Sequence, residues 1–292
     1  MAARPLHFAP KMILCPLDLS AAWQTVLSWA RVFAETYGAK LELLHAEWPE
    51  YPPYFLPSQE TELEAKAEQH RAAVVQDLAK LAREALGPNL SPEIAVLEGH
   101  PVEAILAREA SAKPDLIVMG SHGRSGIKRL RFGSVAENVV LATSTPTLVA
   151  KARTDGRPAK ISRVLCPVNL IEGVHRCLEL SAEVAAAFRA QLVVLHAVEE
   201  GTFDLSSKHQ ELCQWIPADV RNHCDLVEVV RHGNAAEQIL LTAQERAVDL
   251  IILDAGHHPF LDFTILSTTA ERVIRHADSA VLVVPSRNEA GT

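Results

Sequence analysis

The segment Ile13-Leu-Cys-Pro-Leu-Asp18 recurs later in the chain as Val164-Leu-Cys-Pro-Val-Asn169. Separated by the same number of residues, Lys40-Leu-Glu-Leu-Leu-His-Ala46 recurs as Gln191-Leu-Val-Val-Leu-His-Ala197. Each segment is short, apolar and followed by polar residues, which is the pattern of a buried strand. Two copies of the same ordered pair of strands indicate that a whole domain is duplicated.

A third pair of segments shows that the second copy is shorter than the first, and a polar stretch between the copies predicts the domain boundary. Asp115-Leu-Ile-Val-Met119 matches Asp249-Leu-Ile-Ile-Leu253, but the spacing between the copies is smaller here, so the second copy lacks residues between its second and third strands. Arg153–Lys160 is polar and contains Gly and Pro, as linkers often do. We therefore expect a first domain over residues 1–153 and a second over 160–292.

The order of elements predicts the fold class. Apolar runs near 12–17, 40–46, 93–97, 115–119 and 147–151 alternate with helical patterns, among them one that starts with Ser20 as candidate N-cap and one from Glu60 to Gly87. Alternating strands and helices form a parallel sheet covered on both faces. The prediction is an α/β protein of two Rossmann-like domains, each a five-stranded parallel sheet flanked by helices.

Composition excludes several classes of protein. The 292 residues are 48% hydrophobic and 22% charged, with a formal net charge of -8, which disfavours non-specific binding to nucleic acid or anionic membranes. No apolar run approaches the roughly 18 residues of a membrane span, and the N-terminus does not resemble a signal peptide. Five cysteines without close metal-ligand spacing favour reduced thiols. We expect a cytoplasmic protein with no nucleic-acid or membrane partner.

The segment Met119-Gly-Ser-His-Gly-Arg-Ser-Gly-Ile-Lys-Arg-Leu-Arg-Phe-Gly-Ser-Val135 leaves a strand and enters a helix that begins near Ser134. Glycines in such a loop let the backbone approach a phosphate, and the helix start supplies N–H donors. Ser134 can also cap the helix. Four cations without an acid among them complete a segment suited to polyphosphate, namely Arg124, Lys128, Arg129 and Arg131.

The pattern Gly120-x2-Gly123-x9-Gly133-Ser134, together with Asp18 after the first strand, resembles the ATP-binding branch of the universal stress protein family in its tandem form. The resemblance implies a stress-response protein that binds ATP, with Mg²⁺ as accompanying ion. It assigns the adenosine part to Leu17, Asp18, Ala46, Met119 and Gly120. It assigns the phosphates to His122, Gly123, Arg124, Gly133, Ser134 and Val135. The alternatives are turn glycines without a ligand, solvated cations, and an Asp18 that only caps a turn.

The second copy departs from this pattern. Asp254, His257 and Ser267 replace the three glycines, Asn169 replaces Asp18, and the basic run is lost. Added side chains and carboxylates oppose phosphate binding, so we predict that this copy does not bind ATP in the family manner. A metal site is one alternative, with ligands from His196, Asp254, His257, His258 and Asp262. The other is a cleft that Phe260 and Phe263 line or plug.

Several remaining residues are expected to serve the fold. Cys15 and Cys166 lie inside apolar strands, and His45 and His196 recur at strand ends. Cys213, His223 and Cys224 have no spacing typical of a zinc site, and Trp215 is expected to pack.

The resemblance also implies that the last strands, within Thr147–Lys151 and Ala280–Pro285, pair inside one chain as a pseudo-dimer. A further homodimer and the protein partner are left open. We expect no catalytic residue. The alternative functions are a slow ATPase or adenylate-transferring enzyme, for which no activating carboxylate lies in the loop, and an interaction scaffold with a structural nucleotide.

Overall fold

The computed structural model describes residues 8–20, 22–47, 57–121, 132–152, 159–171, 175–199, 204–255 and 267–285. Within these residues the first copy contains five strands and four helices. In chain order they are β1 Met12–Pro16, α1 Trp23–Tyr37, β2 Lys40–Glu47, α2 Pro57–Leu86, β3 Glu93–Glu98, α3 Pro101–Ala112, β4 Leu116–Gly120, α4 Ser134–Ala142 and β5 Thr147–Ala150.

The second copy repeats this order with one change. Two short helices replace the long helix α2, in the part of the second copy that lacks residues relative to the first. The elements are β6 Arg163–Val168, α5 Arg176–Phe188, β7 Gln191–Val198, α6 Leu205–Trp215, α7 Ala218–His223, β8 Asp225–His232, α8 Ala235–Glu245, β9 Leu250–Asp254, α9 Thr268–His276 and β10 Ala280–Val284.

All ten described strands belong to one sheet, in the order β3-β2-β1-β4-β5-β10-β9-β6-β7-β8. The five strands of each copy run parallel to one another, whereas β5 and β10 meet antiparallel, with Leu148 opposite Leu282 and Val149 opposite Val281. The predicted α/β class, the five parallel strands of each copy and the pairing of the copies through their last strands are confirmed. The domain limits at residues 153 and 160 stay a prediction.

Helices cover both faces of the sheet because neighbouring strand residues point to opposite sides. Ile13 and Cys15 join the hydrophobic cluster on one face, and Leu14 joins the cluster on the other. The side chains of Cys15 and Cys166 are fully buried, which confirms their predicted place in the core.

A second contact between the copies lies outside the sheet, where α1 faces α5. The rings of Phe33 and Phe188 meet edge to face with centroids 5.3 Å apart, and Tyr37 lies 5.9 Å from Phe188. Ser28 adds a hydrogen bond, in which its Oγ accepts from the backbone N–H of Ala159 at 3.0 Å. The two copies are therefore joined by apolar packing as well as by strand pairing.

Two predicted helix caps are wrong. Helix α1 begins at Trp23 with Ala22 in the cap position, because the chain makes a tight turn at Leu19 (φ 60°) before it becomes helical. Ser20 therefore precedes the cap. Helix α4 begins at Ser134 itself, and Gly133 occupies the cap position. Among the described helices, none is both long and apolar enough to cross a membrane.

Candidate functional site

Strands β1 and β4 lie side by side at the centre of the first copy, with Leu14 opposite Ile117. The strand after β1 in the chain, β2, lies on one side of this pair, and the strand after β4, β5, lies on the other. At such a reversal of strand order a crevice opens beyond the carboxyl ends of the two central strands. Counting on from the paired residues, Gly120 at the end of β4 falls level with Leu17. Ala46 on β2 falls level with Asp18 by the same count, since Pro16 pairs with Leu44.

Hydrogen bonds hold the segment that follows β1. The N–H of Leu17 donates to the carbonyl of Leu44 at 2.8 Å, and the carbonyl of Leu17 accepts from Nδ1 of His45 at 2.7 Å. Oδ1 of Asp18 accepts from the N–H of Ser20 at 3.0 Å, which stabilises the turn. The turn role considered for Asp18 is therefore present, and it fixes the position of the carboxylate at the crevice.

The end of β4 and the start of α4 are tied together. Met119 is buried in the core, and the carbonyl of Ser121 accepts from the N–H of Gly133 at 2.9 Å. This bond joins the two ends of the glycine-rich loop, so the loop must leave and return at the same point of the crevice. His122, Gly123 and Arg124 lie outside the described residues, as do Lys128, Arg129 and Arg131.

The start of α4 faces this crevice without a side-chain cap. Gly133 has an ordinary extended conformation (φ -67°, ψ 140°), and its carbonyl accepts from the N–H of Glu137 at 2.9 Å. Because Gly133 has no side chain, it offers no side-chain acceptor to the N–H groups of the first helical turn, which contains Ser134 and Val135. Backbone donors and the positive end of the helix dipole at such a place favour an anion.

The matching helix of the second copy is capped by its own side chain. Oγ of Ser267 accepts from the N–H of Ala270 at 3.1 Å, although the loop ends are joined as in the first copy, by a bond from the Ser267 N–H to the Ala255 carbonyl at 3.2 Å. Asp254 ends β9 where the first copy has Gly120. The two crevices thus share their backbone frame and differ in their polar groups.

The side chain of Trp215 on α6 contacts the residues between β6 and α5. Nε1 of Trp215 donates to the carbonyl of Ile171 at 3.0 Å, and the Trp215 ring lies 4.4 Å from that of His175. Trp215 also packs against the core, as predicted.

The pKa of the Cys177 thiol is raised well above its usual value by a hydrogen bond with Cys166, by burial, and further by the nearby Asp254 carboxylate.

The metal-site hypothesis for the second crevice rests on residues that the structure places only in part. His257, His258 and Asp262 lie outside the described residues, as do Phe260 and Phe263. His196 is engaged in the fold, since its Nδ1 donates to the carbonyl of Val168 at 3.0 Å. Another group of metal-ligand type, His209, Cys213 and Glu228, was missed because Glu228 comes from a distant strand. The spacing of His209 and Cys213 on one helix was its visible signal.

Comparisons with known proteins agree with the fold. The model of the universal stress protein family matches residues 10–151 and again residues 160–285. A universal stress protein of Thermus aquaticus, from the 3' region of a sulfhydrylase gene, is 32% identical over 145 residues, which are 48% of this chain and 98% of that protein.

Two solved structures extend the likeness over nearly the whole chain. A universal stress protein from Archaeoglobus fulgidus covers 94% of this chain and 97% of its own at 23% identity, with a TM-score of 0.68. A Pseudomonas aeruginosa protein described under the same family name covers 96% and 94% at 20% identity, with a TM-score of 0.69. At these identities the likeness shows the fold. Together with the two matches to the family model, it shows that the chain belongs to the universal stress protein family and carries two of its domains in tandem.

Proposed function

We propose that the N-terminal domain binds an adenine nucleotide, ATP with Mg²⁺, and that the C-terminal domain is its pseudo-symmetric partner in a cytoplasmic stress response. The observation that carries the proposal is the contrast between the uncapped start of α4 at Gly133 and the self-capped start of α9 at Ser267. Among the described residues, the Ser267 hydroxyl binds the N–H of Ala270, whereas Gly133 offers no side-chain acceptor to the matching N–H of Ala136.

The described residues suit the two parts of the nucleotide. The γ- and β-phosphates would meet the N–H groups of Ser134 and Val135, where the helix dipole favours negative charge. The adenosine would lie beside Leu17, Asp18, Ala46, Met119 and Gly120, whose carboxylate and backbone groups can accept or donate to a base and a ribose. In the proposal His122, Gly123 and Arg124 complete the phosphate site.

The proposal includes no catalytic residue. A bound nucleotide would act by changing how the protein meets a partner, and the five free cysteines fit a reducing compartment. Release of inorganic phosphate from ATP at the rate of a dedicated ATPase would instead support the enzyme alternative.

Gly133→Asp is the sharpest test of the site. The φ of Gly133 suits any residue, and Asp is a favourable N-cap, so the variant keeps its helix. The new carboxylate would occupy the donors and repel phosphate. We expect calorimetric titration with ATP and Mg²⁺ to show at least a ~10-fold weaker affinity, about 1.4 kcal/mol.

Ser267→Asp is the matched control, because it makes the same change at the equivalent cap of the second copy. It should leave ATP affinity unchanged. Mass spectrometry of small molecules released from the purified protein gives an independent readout. Absence of adenine nucleotide together with no binding on titration would refute the proposal, and equal loss in both variants would refute the assigned crevice.

A further inference from the structure

Three side chains with metal-ligand atoms meet at the outer edge of the second copy. His209 and Cys213 lie on α6 and Glu228 lies on β8. The Sγ of Cys213 is 3.5 Å from Nδ1 of His209 and 3.8 Å from Oε1 of Glu228, and all three ligand atoms lie within 4.8 Å of one another. We call these residues the α6–β8 cluster.

The fold brings the cluster together in two ways. Residues four apart on a helix share a face, so His209 and Cys213 point the same way from α6. Glu228 lies on the strand beneath, where it pairs with Val194. In the first copy the matching position is Ile94, paired with Leu43, which packs against the hydrophobic core. The second copy thus has a carboxylate where the first copy has an apolar side chain. This carboxylate lies where α6 supplies a thiol and an imidazole.

The distances and the donor types fit one class of ion. In tetrahedral zinc sites the bonds to sulfur, nitrogen and oxygen are about 2.0–2.3 Å, which places neighbouring ligand atoms about 3.3–3.7 Å apart. The two distances from Sγ of Cys213, 3.5 and 3.8 Å, agree with that arrangement to within a few tenths of an ångström, and the third pair of ligand atoms lies within 4.8 Å. A thiolate with an imidazole favours Zn²⁺ over Ca²⁺ or Mg²⁺, which prefer oxygen ligands alone. We propose that the α6–β8 cluster binds Zn²⁺ through these three side chains, with water or a partner's atom as fourth ligand.

Arg221 positions two members of the cluster. Its Nη1 donates to Oε1 of Glu228, and its Nη2 donates to the backbone carbonyl of Cys213 at 2.9 Å. Oε1 is also the oxygen that lies 3.8 Å from Sγ of Cys213, and a carboxylate oxygen has two lone pairs, so it can accept from Arg221 and still bind the ion. Outer hydrogen bonds of this kind commonly orient the carboxylates that bind metals. The bound ion would join α6 to the edge strand β8.

The test is a titration of the reduced, full-length protein with Zn²⁺ against a chromophoric chelator, followed by Co²⁺ substitution. We expect one ion per chain and, with Co²⁺, the absorption band of a thiolate-to-metal charge transfer. Cys213→Ala and His209→Ala should each weaken Zn²⁺ binding at least ~10-fold, and Cys213→Ala should abolish the band. His209 is exposed, so its replacement leaves the core intact and keeps the test valid should Cys213→Ala fold poorly.

Matched controls come from the same domain. Cys224→Ala and His223→Ala remove a thiol and an imidazole outside the cluster and should leave binding unchanged. A double variant, His257→Ala with His258→Ala, separates the cluster from the histidine pair considered for the second crevice. Absence of binding would overturn the proposal. So would binding that survives His209→Ala and Cys213→Ala, or binding that is lost in the double variant instead.

Discussion

Nδ1 of His45 donates to the backbone carbonyl of Leu17 at 2.7 Å, and this bond joins the end of β2 to the segment that follows β1. The second copy repeats it between His196 and Val168 at 3.0 Å. The bond persists in a copy that has lost the glycine loop, so it belongs to the fold, as the recurrence of the two histidines predicts.

Removal of this donor should destabilise the protein. In His45→Leu the buried carbonyl of Leu17 would lose its side-chain partner, and we expect the free energy of unfolding to fall by about 1–3 kcal/mol. Urea unfolding measures the change. His232→Leu is the control, because His232 is exposed at the end of β8, and it should change stability by less than about 0.5 kcal/mol. Equal effects of the two variants would contradict the role given to His45.

The seam between the copies should show energetic coupling. Leu148 and Leu282 are register partners across β5 and β10, and both are fully buried. Each Leu→Ala change should cost about 2–5 kcal/mol in unfolding free energy. The double variant should deviate from the sum by about 0.5–3 kcal/mol, because the two cavities merge.

The exposed Leu241 supplies the comparison for the seam. Leu241→Ala should have a small effect and should add to Leu282→Ala without coupling. Strict additivity of Leu148→Ala and Leu282→Ala in urea unfolding would mean that the two side chains do not pack together across the seam.

The helix starts make a further pair of predictions. Ser267 caps α9 through its Oγ, so Ser267→Ala should lower stability by about 1 kcal/mol. Ser134 is the first helical residue of α4 and makes no cap, so Ser134→Ala should change stability by less than about 0.5 kcal/mol. Thermal unfolding of both variants decides the matter. A larger loss of stability in Ser134→Ala than in Ser267→Ala would show that Ser134 caps α4.

The cysteines should react in an order that pH controls. Burial, with a smaller contribution from Asp225, raises the pKa of Cys224 to about 11, so its thiolate fraction increases as pH rises toward that value. Burial beside Glu42 raises the pKa of Cys15 much further. We expect iodoacetamide labelling of Cys224, followed by mass spectrometry, to be slow at pH 8 and faster at pH 10.

Cys15 and Cys166 should stay unlabelled at both pH values until the protein is unfolded, since their side chains are fully buried. Labelling of Cys15 in the native protein at the rate of Cys224 would show that β1 opens readily to solvent.

Strand positions could be predicted from the sequence because both faces of a parallel sheet are buried, which leaves continuous apolar runs such as Leu116–Met119. Helix starts were harder. A serine before an apolar pattern is a good cap only where the chain geometry allows it, and at Ser20 the turn at Leu19 delays the helix. The preference of serine for N-cap positions gives no information about a turn made by the preceding residues.

The candidate site was predictable in part for a similar reason. Leu17, Asp18 and Gly120 each follow or end a strand, so the order of the strands brings them to one edge. The α6–β8 cluster could not be predicted without knowing how α6 packs on β8, because Glu228 is 15 residues from Cys213. In the sequence, Glu228 looks like an ordinary polar residue of an edge strand. Packing of a helix on a strand leaves little trace in the spacing of residues.

The antiparallel pairing of β5 with β10 reverses the direction of the sheet between the copies. Since crevices lie beyond the carboxyl ends of parallel strands, the crevice of the first copy and that of the second open on opposite edges of the one sheet. A single small ligand therefore cannot bridge them, and a partner that contacts both must extend around the molecule. Among the described residues, the contacts that could carry an influence from one crevice to the other are the paired strands, the packing of α1 on α5, and the ion pair between Glu137 of α4 and Arg275 of α9 at 3.6 Å.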